Sequence, residues 1–225
     1  MIIFRLALLS LWNRRATAVL SLAAIALSVT LLLGVERLSS GARQSFYNTV
    51  SGTDLIVGAR GGPLQLLLYS VFRIGTPTNN LSWESYQDLS EHPAVAWTVP
   101  LSLGDSHRGY RVLGTSRDYF QHYRYGRDRQ LAFAAGRPFE DVFDAVLGAE
   151  VAARLDYRLD QEIVVSHGIA AGFQDHEDKP FRVVGILAPT GTPVDRTVHV
   201  SLEGIEAIHI DWRDGAPPAP GQTMP

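Results

Sequence analysis

A long apolar segment near the start of the chain dominates its hydropathy pattern. Residues 16–35 form a run of twenty residues without a charged side chain. As a helix this run is about 30 Å long, which matches the hydrocarbon thickness of a bilayer. A cleaved secretory signal is the alternative, but its apolar region is usually about 7–15 residues long and ends at a site of small residues. The pattern therefore predicts an uncleaved transmembrane helix over residues 16–37.

The distribution of arginines predicts the orientation of this helix. Arg5, Arg14 and Arg15 precede the apolar run, and Arg37 follows it. Positive residues in short flanking segments favour the cytoplasmic side of a membrane. We therefore expect residues 1–15 to form a cytoplasmic segment at the membrane interface and the rest of the chain to lie in the periplasm.

One face of the predicted helix carries small and weakly polar residues. Thr17, Ser21, Ala24 and Ser28 follow a spacing of i, i+4, i+7 and i+11, which places them on one side of a helix. Small residues allow transmembrane helices to approach closely. The spacing predicts that other transmembrane helices pack here, although alanine and serine are also common in such helices without that role.

The pattern changes after the apolar run. A stalk helix is expected over residues 38–53, and strand-like and helix-like segments alternate over residues 54–210. The strand-like segments are TDLIVG, AVAWTVPLSL, RGYRVLGT, DAVL, EIVVS, FRVVGILA and DRTVHVSL. A turn is predicted at GDSH, between AVAWTVPLSL and RGYRVLGT, and DAVLGAEVAARL is predicted to be a strand, a glycine turn and a helix. The helix-like segments include one capped by Ser82 and reaching about Glu91, SRDYFQHY, and LEGIEAIH. Several neighbouring strands resemble hairpins, so we predict an α+β domain and not a doubly wound parallel sheet.

Composition and motifs exclude several classes of function. The net charge of −3 is not that of a nucleic-acid-binding domain. The chain has no cysteine, so its domain is expected to fold without disulfide bonds. The only lysine, Lys179, is followed by Pro180, so the chain contains no phosphate-binding loop of the Walker type. A serine hydrolase elbow is also absent from the sequence. We predict that the chain is not an enzyme and has no catalytic or cofactor-binding residues of its own.

The segment SHGIAAGFQDHEDKP contains the best candidates for metal ligands. His167, His176 and Asp178 lie close together there, and imidazole with carboxylate suits zinc or a similar divalent ion. The spacing follows no established zinc pattern, and a solvated polar loop is the alternative interpretation. The other histidines considered are expected to be structural: His107, His122, His199 and His209.

Several segments in this order resemble a known family. They are GTDLIVGARGGPLQLLLYSVFRIG, GDSHRGYRVLGT, AGRPF, AVLGAEVAARL and FRVVGILAPTGTPVDRTVHVSLEGIEAIH. Together with the N-terminal span, they resemble the permease subunit of an ABC transporter of the MacB, LolC/LolE and FtsX family. The resemblance extends from Met1 to about His209.

The resemblance implies an inner-membrane permease with four spans and a periplasmic domain between the first and the second. Such permeases form homodimers or heterodimers. A separate ABC ATPase subunit binds ATP and Mg²⁺, and its ATP hydrolysis moves the periplasmic domain, which acts on a substrate that the sequence does not identify. Membrane lipid and a periplasmic protein are further expected partners. Residues 211–225 are rich in proline and glycine, so we expect a linker there, with further spans beyond it.

Two alternatives remain from the sequence. The first is a periplasmic binding or adaptor protein with a single membrane anchor, in which the histidine-containing loop handles a metal. The second is a membrane-anchored periplasmic enzyme, which requires a convergent cluster of polar side chains.

Overall fold

The computed structural model describes residues 5, 12, 14–49, 51–75, 79–168 and 178–210. The chain divides into two compact units, Met1–Phe46 and Tyr47–Pro225. One long helix, α1, extends from Arg15 to Thr49, so it includes residues on both sides of the predicted boundary between span and stalk. Within its segment Arg15–Gly41, the most apolar 18 residues have a mean hydropathy of 2.5, and none of them is buried. This segment is long and apolar enough to cross a membrane.

The second unit is built from short helices and strands. Its helices are α2 (Pro63–Ser70), α3 (Trp83–Ser90), α4 (Asp118–His122), α5 (Ala149–Leu155) and α6 (Leu202–His209), with a 3₁₀ turn at Pro193–Arg196. Its strands are β1 (Leu101–His107), β2 (Tyr110–Thr115), β3 (Arg124–Tyr125), β4 (Arg129–Gln130), β5 (Phe133–Gly136), β6 (Asp144–Leu147), β7 (Glu162–Ile163), β8 (Ser166–His167), β9 (Phe181–Leu187) and β10 (Thr197–Ser201).

Within the described residues, eight strands form one mixed sheet. Its order is β5-β9-β6-β10-β2-β1-β8, and β7 pairs with the first two residues of β9, Phe181 and Arg182. The pairs β10–β2 and β6–β9 are parallel, whereas the other pairs are antiparallel. Strands β3 and β4 form a separate hairpin. The predicted α+β class is therefore confirmed.

The central strands are buried on both faces of the sheet. In β6, Ala145 and Leu147 pack in one core cluster with residues of α5 and α6, whereas Val146 packs in a second cluster with aromatic residues of α4. Successive side chains of a strand point to opposite faces, so the two clusters cover the two faces of the sheet. This explains why β6 and β9 are nearly continuous runs of apolar residues, whereas β10 also buries the polar residues Thr197, His199 and Ser201.

Three details differ from the expectations for strands and turns. The segment TDLIVG is not a strand, and Leu55 is 79% exposed there. Strand β1 begins only at Leu101, immediately after Pro100, which has no N–H to donate to a ladder. The segment GDSH lies within β1, and the hairpin turn falls on Arg108 and Gly109. Both turn residues have positive φ, 47° and 83°, as a tight two-residue hairpin requires.

Candidate functional site

An aspartate and a histidine face each other across the edge of the sheet. Strands β1 and β8 are antiparallel, and their register places Asp105 opposite His167. Residues in this relation project from the same face of a sheet, and Asp105 Oδ1 lies 3.1 Å from His167 Nδ1. The pairing of β1 with β2 is irregular between Leu103 and Ser106. Such bulges redirect side chains, and this one includes Asp105.

Helix α6 adds a second histidine to this pair. Its last residue is His209, and His209 Nε2 lies 3.2 Å from His167 Nδ1 and 3.6 Å from Asp105 Oδ1. The helix packs closely on the sheet because Gly114 of β2 has no side chain. A Cβ atom at Gly114 would lie 2.6 Å from Ile205 Cγ1. We call Asp105, His167 and His209 the His–His–Asp cluster.

The cluster combines a buried carboxylate with partly exposed imidazoles. The side chain of Asp105 is 3% exposed, compared with 40% for His167 and 21% for His209. Burial raises the pKa of Asp105 above its ordinary value, and the nearby imidazoles of His209 and His167 oppose that rise. The carboxylate is thus shielded from water while its partners remain accessible from solvent.

The tautomer of His209 follows from its backbone contact. His209 Nδ1 lies 2.7 Å from the carbonyl oxygen of Ile205, which only accepts hydrogen bonds. Nδ1 therefore carries the proton in the neutral ring, and Nε2 presents its lone pair to the cluster. Chemically, the three side chains can bind a metal ion or share protons among themselves.

The predicted metal ligands have different positions in the structure. His167 belongs to the cluster, whereas His176 lies outside the described residues. Asp178 is exposed and does not belong to the group of ligand atoms that includes His167. The prediction of a metal site from His167, His176 and Asp178 therefore stays a prediction. Asp105 and His209 were not expected to contribute, because no short sequence spacing connects them to His167.

Two of the remaining histidines have buried structural contacts. His107 Nδ1 lies 2.6 Å from the carbonyl oxygen of Val164, and its Nε2 lies 2.9 Å from the hydroxyl of Tyr157. His199 is fully buried, with its Nδ1 3.2 Å from the carbonyl oxygen of Val146. Burial, helped by the positive charge of Arg73, lowers the pKa of His199 to about 3. His199 is therefore neutral at ordinary pH.

A second buried aspartate, Asp144, lies at the start of β6. Its carboxylate lies 3.1 Å from Arg137 Nη1 and 3.5 Å from Arg182 Nη2, and it accepts hydrogen bonds from the backbone amides of Glu140 and Asp141. Burial acts to raise the pKa of Asp144, but these amides and Arg137 outweigh burial and lower the pKa.

A shallow depression of about 250 Å³ lies over this aspartate. Its lining includes Asp144 and Arg182, which already pair with each other. We therefore assign the contacts of Asp144 to stability and not to ligand binding.

The small residues of α1 are exposed along the helix. Ser28 Oγ donates to the carbonyl oxygen of Ala24 at 2.9 Å, so its hydroxyl is satisfied within its own helix. Thr17 and Ser21 are also exposed. The predicted helix packing through Thr17, Ser21, Ala24 and Ser28 stays a prediction.

Comparison with protein-family models finds a match over most of the chain. The model of the family described as the MacB-like periplasmic core domain matches residues 18–220. No curated protein sequence matches the chain.

Two solved structures are similar in part. The periplasmic region of MacB from Actinobacillus actinomycetemcomitans is 17% identical, and the match covers 57% of this chain and 58% of that one with a TM-score of 0.39. The extracellular domain of the noncanonic ABC-type transporter YknZ from Gram-positive bacteria is 14% identical, with 56% and 65% covered and a TM-score of 0.38. The chain thus spans less than two thirds of either structure.

Proposed function

Since the chain belongs to the family of the MacB-like periplasmic core domain, we propose that it transmits movement from a cytoplasmic ATPase to the periplasm. It is a MacB/FtsX-like ABC permease, and a permease of this kind implies an ATPase partner. MacB-like periplasmic domains are not enzymes themselves. In this proposal, residues 16–37 span the inner membrane, the second unit lies in the periplasm, and permease subunits act as a dimer on a substrate still to be identified.

The membrane assignment is supported by the surface of α1. Its segment Arg15–Gly41 exposes large apolar side chains to the surroundings, and Leu20, Leu32 and Leu38 are each at least 70% exposed. In water this surface would carry a large hydrophobic cost, whereas lipid covers it without such a cost. The arginines before the helix favour a cytoplasmic N-terminus.

The contacts at the C-terminal end of α1 support the proposal of mechanical coupling. Thr49 is 2% exposed, and the hydroxyl of Tyr123 donates to its carbonyl oxygen. Two residues later, the amide of Ser51 donates to the carbonyl oxygen of Arg124 at 3.1 Å. Tyr123 and Arg124 follow α4, whose aromatic residues belong to the core. A displacement of the helix end therefore acts directly on α4 and on the hairpin that follows it.

Cysteine labelling tests the membrane topology, because the chain has no cysteine of its own. The variants Ser10→Cys and Gln130→Cys place single thiols before the apolar helix and on the exposed strand β4. In intact spheroplasts, a membrane-impermeant maleimide should label the Gln130→Cys variant and spare the Ser10→Cys variant until the membrane is permeabilised. Labelling of both variants, or release of the chain into the soluble fraction, would contradict the proposal.

A helix-breaking variant tests the coupling. Proline in a helix interior removes a hydrogen bond and kinks or breaks the helix, and Leu38 is an exposed position where a side-chain change alone should matter little. Hydrogen exchange of residues 119–124 is compared between ATP-bound and ADP-bound states of the complete permease with its ATPase. We expect a nucleotide-dependent difference in the wild type and in the control Leu38→Ala, and its loss in Leu38→Pro. The same difference in Leu38→Pro, or no difference in the wild type, would refute the coupling.

A further inference from the structure

We propose that Asp105, His167 and His209 bind one divalent transition-metal ion, with zinc the best fit, and that the ion fastens α6 to the edge of the sheet. The inference goes beyond the permease assignment, because it concerns a site within the second unit and holds whatever the transported substrate is. It rests on the positions of three ligand atoms, on their chemistry and on their access to solvent.

The spacing of the ligand atoms fits one face of a tetrahedron. His167 Nδ1, His209 Nε2 and Asp105 Oδ1 form a triangle with sides of 3.1, 3.2 and 3.6 Å. A tetrahedral zinc ion with bonds of about 2.0–2.1 Å separates its ligand atoms by roughly 3.3–3.4 Å. Neighbouring ligands of octahedral magnesium at about 2.1 Å lie roughly 3.0 Å apart. The observed sides bracket the tetrahedral value, so an ion slightly above the plane of the triangle reaches all three atoms with little rearrangement.

The chemistry of the ligands points to the same class of ion. Two imidazole nitrogens with one carboxylate oxygen suit zinc and neighbouring first-row metals, whereas calcium and magnesium prefer oxygen ligands alone. The contact of His209 Nδ1 with the carbonyl oxygen of Ile205 at 2.7 Å is the type of second contact that orients a metal-binding histidine and makes it more basic. Nε2 of His209 is thereby directed at the other two ligand atoms.

Charge and access also favour a cation. Asp105 is 2% exposed, and a buried carboxylate is costly to keep charged unless a positive partner lies beside it. A divalent ion supplies that partner. The two histidines are exposed enough for an ion to enter from solvent without unfolding the sheet.

An ion at this position would connect parts of the chain that are distant in sequence. His167 is 62 residues from Asp105 and 42 residues from His209. The first connection already lies within the β1–β8 ladder, but the second joins the sheet edge to the end of α6. Metal binding should therefore stabilise the last turn of α6 more than the central strands.

Calorimetric titration of the full chain tests the proposal. The chain is purified in detergent with a tag that contains no histidine, stripped with a chelator, and titrated with Zn²⁺ and, in parallel, Mg²⁺. We expect one Zn²⁺ per chain and no comparable binding of Mg²⁺. The variants His167→Gln and His209→Gln should each weaken zinc binding at least about tenfold, because even the loss of a residue that only orients a ligand costs affinity on this scale.

A surface histidine provides the matched control. His92 is exposed and lies in a turn after α3, where its Nδ1 accepts from the amide of Ala94. His92→Gln should bind zinc as the wild type does. Equal affinity in the wild type and His209→Gln, or an equal loss in His92→Gln, would overturn the proposal, as would a wild-type chain that takes up less than one ion.

Two spectroscopic measurements report on geometry and on the fastening of α6. Co²⁺ in place of zinc should give the intense visible bands of a tetrahedral ion in the wild type and in His92→Gln, and lose them in His209→Gln. Hydrogen exchange at residues 205–209 should slow when zinc is added to the wild type. Octahedral cobalt spectra, or unchanged exchange in α6 at saturating zinc, would refute the proposed site. Circular dichroism of each variant verifies that loss of binding does not reflect loss of the fold.

Discussion

The same sheet contains two buried aspartates whose surroundings differ. Asp144, at the start of β6, lies beside Arg137 and Arg182 and accepts two backbone hydrogen bonds. Asp105, in β1, faces the imidazoles of His167 and His209. The pKa of Asp144 is lowered, since amides and arginine outweigh burial, whereas the pKa of Asp105 is raised, since burial prevails over the imidazoles.

The difference shows which buried charge is structural and which is available for binding. A guanidinium has no lone pair to offer a metal and keeps its proton at any ordinary pH. The negative charge of Asp144 is thus always balanced by the positive charge of arginine. An imidazole offers a lone pair once it is neutral, so the partners of Asp105 are themselves ligands. Buried acids next to histidines are therefore candidates for binding, whereas those next to arginines are candidates for stability.

Removing the carboxylate of Asp144 should have the largest effect on stability. Asp144→Asn removes the buried charge that faces Arg137 and weakens the acceptor for two backbone amides. We expect the free energy of unfolding to fall by about 3 kcal/mol, equally with and without zinc. Denaturant titration of the full chain in detergent measures this change.

Two results would show that Asp144 has been misassigned. The exposed neighbour Asp141 provides a control, since Asp141→Asn should change stability by less than about 0.5 kcal/mol. Because the pKa of folded Asp144 is lowered, its contribution should be present above about pH 4 and be lost as the pH falls through the lowered value. A similar loss in both variants, or a zinc-dependent effect of Asp144→Asn, would break the contrast with Asp105.

Removing the carboxylate of Asp105 should matter chiefly when metal is present. At a hundredfold excess of zinc over its dissociation constant, a bound ion stabilises the wild type by about 2.7 kcal/mol. Asp105→Asn should lose most of this gain, while Asp144→Asn keeps it. Thermal unfolding with and without zinc compares the two variants. If Asp105→Asn retained the full zinc-dependent shift, the two aspartates would not differ in the way that their surroundings indicate.

The third prediction concerns a buried imidazole that has no carboxylate beside it among the described residues. His199 has a pKa of about 3 in the folded chain, whereas an unfolded histidine titrates near pH 6.5. Below that pH the unfolded chain gains a proton that the folded chain does not bind, so stability falls as the pH decreases. Between pH 7 and pH 5 the loss should be about 2 kcal/mol.

His199→Phe should remove this pH-dependent loss, whatever its effect on stability at pH 7. Denaturant titrations at the two pH values give the difference for the wild type, His199→Phe and the exposed control His92→Gln. The same pH dependence in all three proteins would show that His199 is not kept neutral.

Much of the fold could be predicted because its signals are local. The runs FRVVGIL and TVHVS are strands β9 and β10, and the glycine between β6 and α5 separates strand from helix as expected. Ser82 caps α3, with its side chain accepting from the amide of Ser85. Each of these features depends on neighbouring residues alone, so a single sequence reveals it.

The errors arose where the conformation depends on distant partners. TDLIVG has the residue types of a strand, but no neighbouring strand of the described chain pairs with residues 53–58. GDSH has the residue types of a turn, yet it pairs with β2 and β8. Because Asp105 lies in that segment, the wrong turn prediction also concealed it as a ligand candidate.

The candidate site was predictable only in part for the same reason. His167 was identified from a histidine and carboxylates within one loop. Its partners in the described structure come from β1 and from the end of α6, which only the folded sheet brings together. A sequence search for metal ligands favours short spacings, and this cluster has none.

The smallest effect should come from Ser201, the residue that immediately precedes α6 at the end opposite His209. Ser201 caps this helix, since its Oγ accepts from the amide of Gly204 at 2.9 Å. Ser201→Ala should reduce the free energy of unfolding by about 1 kcal/mol. It should also weaken zinc binding, by no more than about fivefold, because a frayed helix positions His209 less well.

Ser82 offers a matched cap at a helix that carries no ligand. Ser82→Ala removes the same type of hydrogen bond, from the amide of Ser85 at 3.2 Å, and should cost a similar amount of stability. Its zinc affinity should equal that of the wild type. Ser201 Oγ also donates to the carbonyl oxygen of Val142 at 3.2 Å, so the loss of stability is measured for each variant, and a loss of zinc affinity in Ser201→Ala alone reports on the position of His209. Equal zinc affinities in the two variants would mean that α6 does not supply a ligand at Asp105. The two buried aspartates would then differ only through the contact of Asp105 in β1 with His167 in β8.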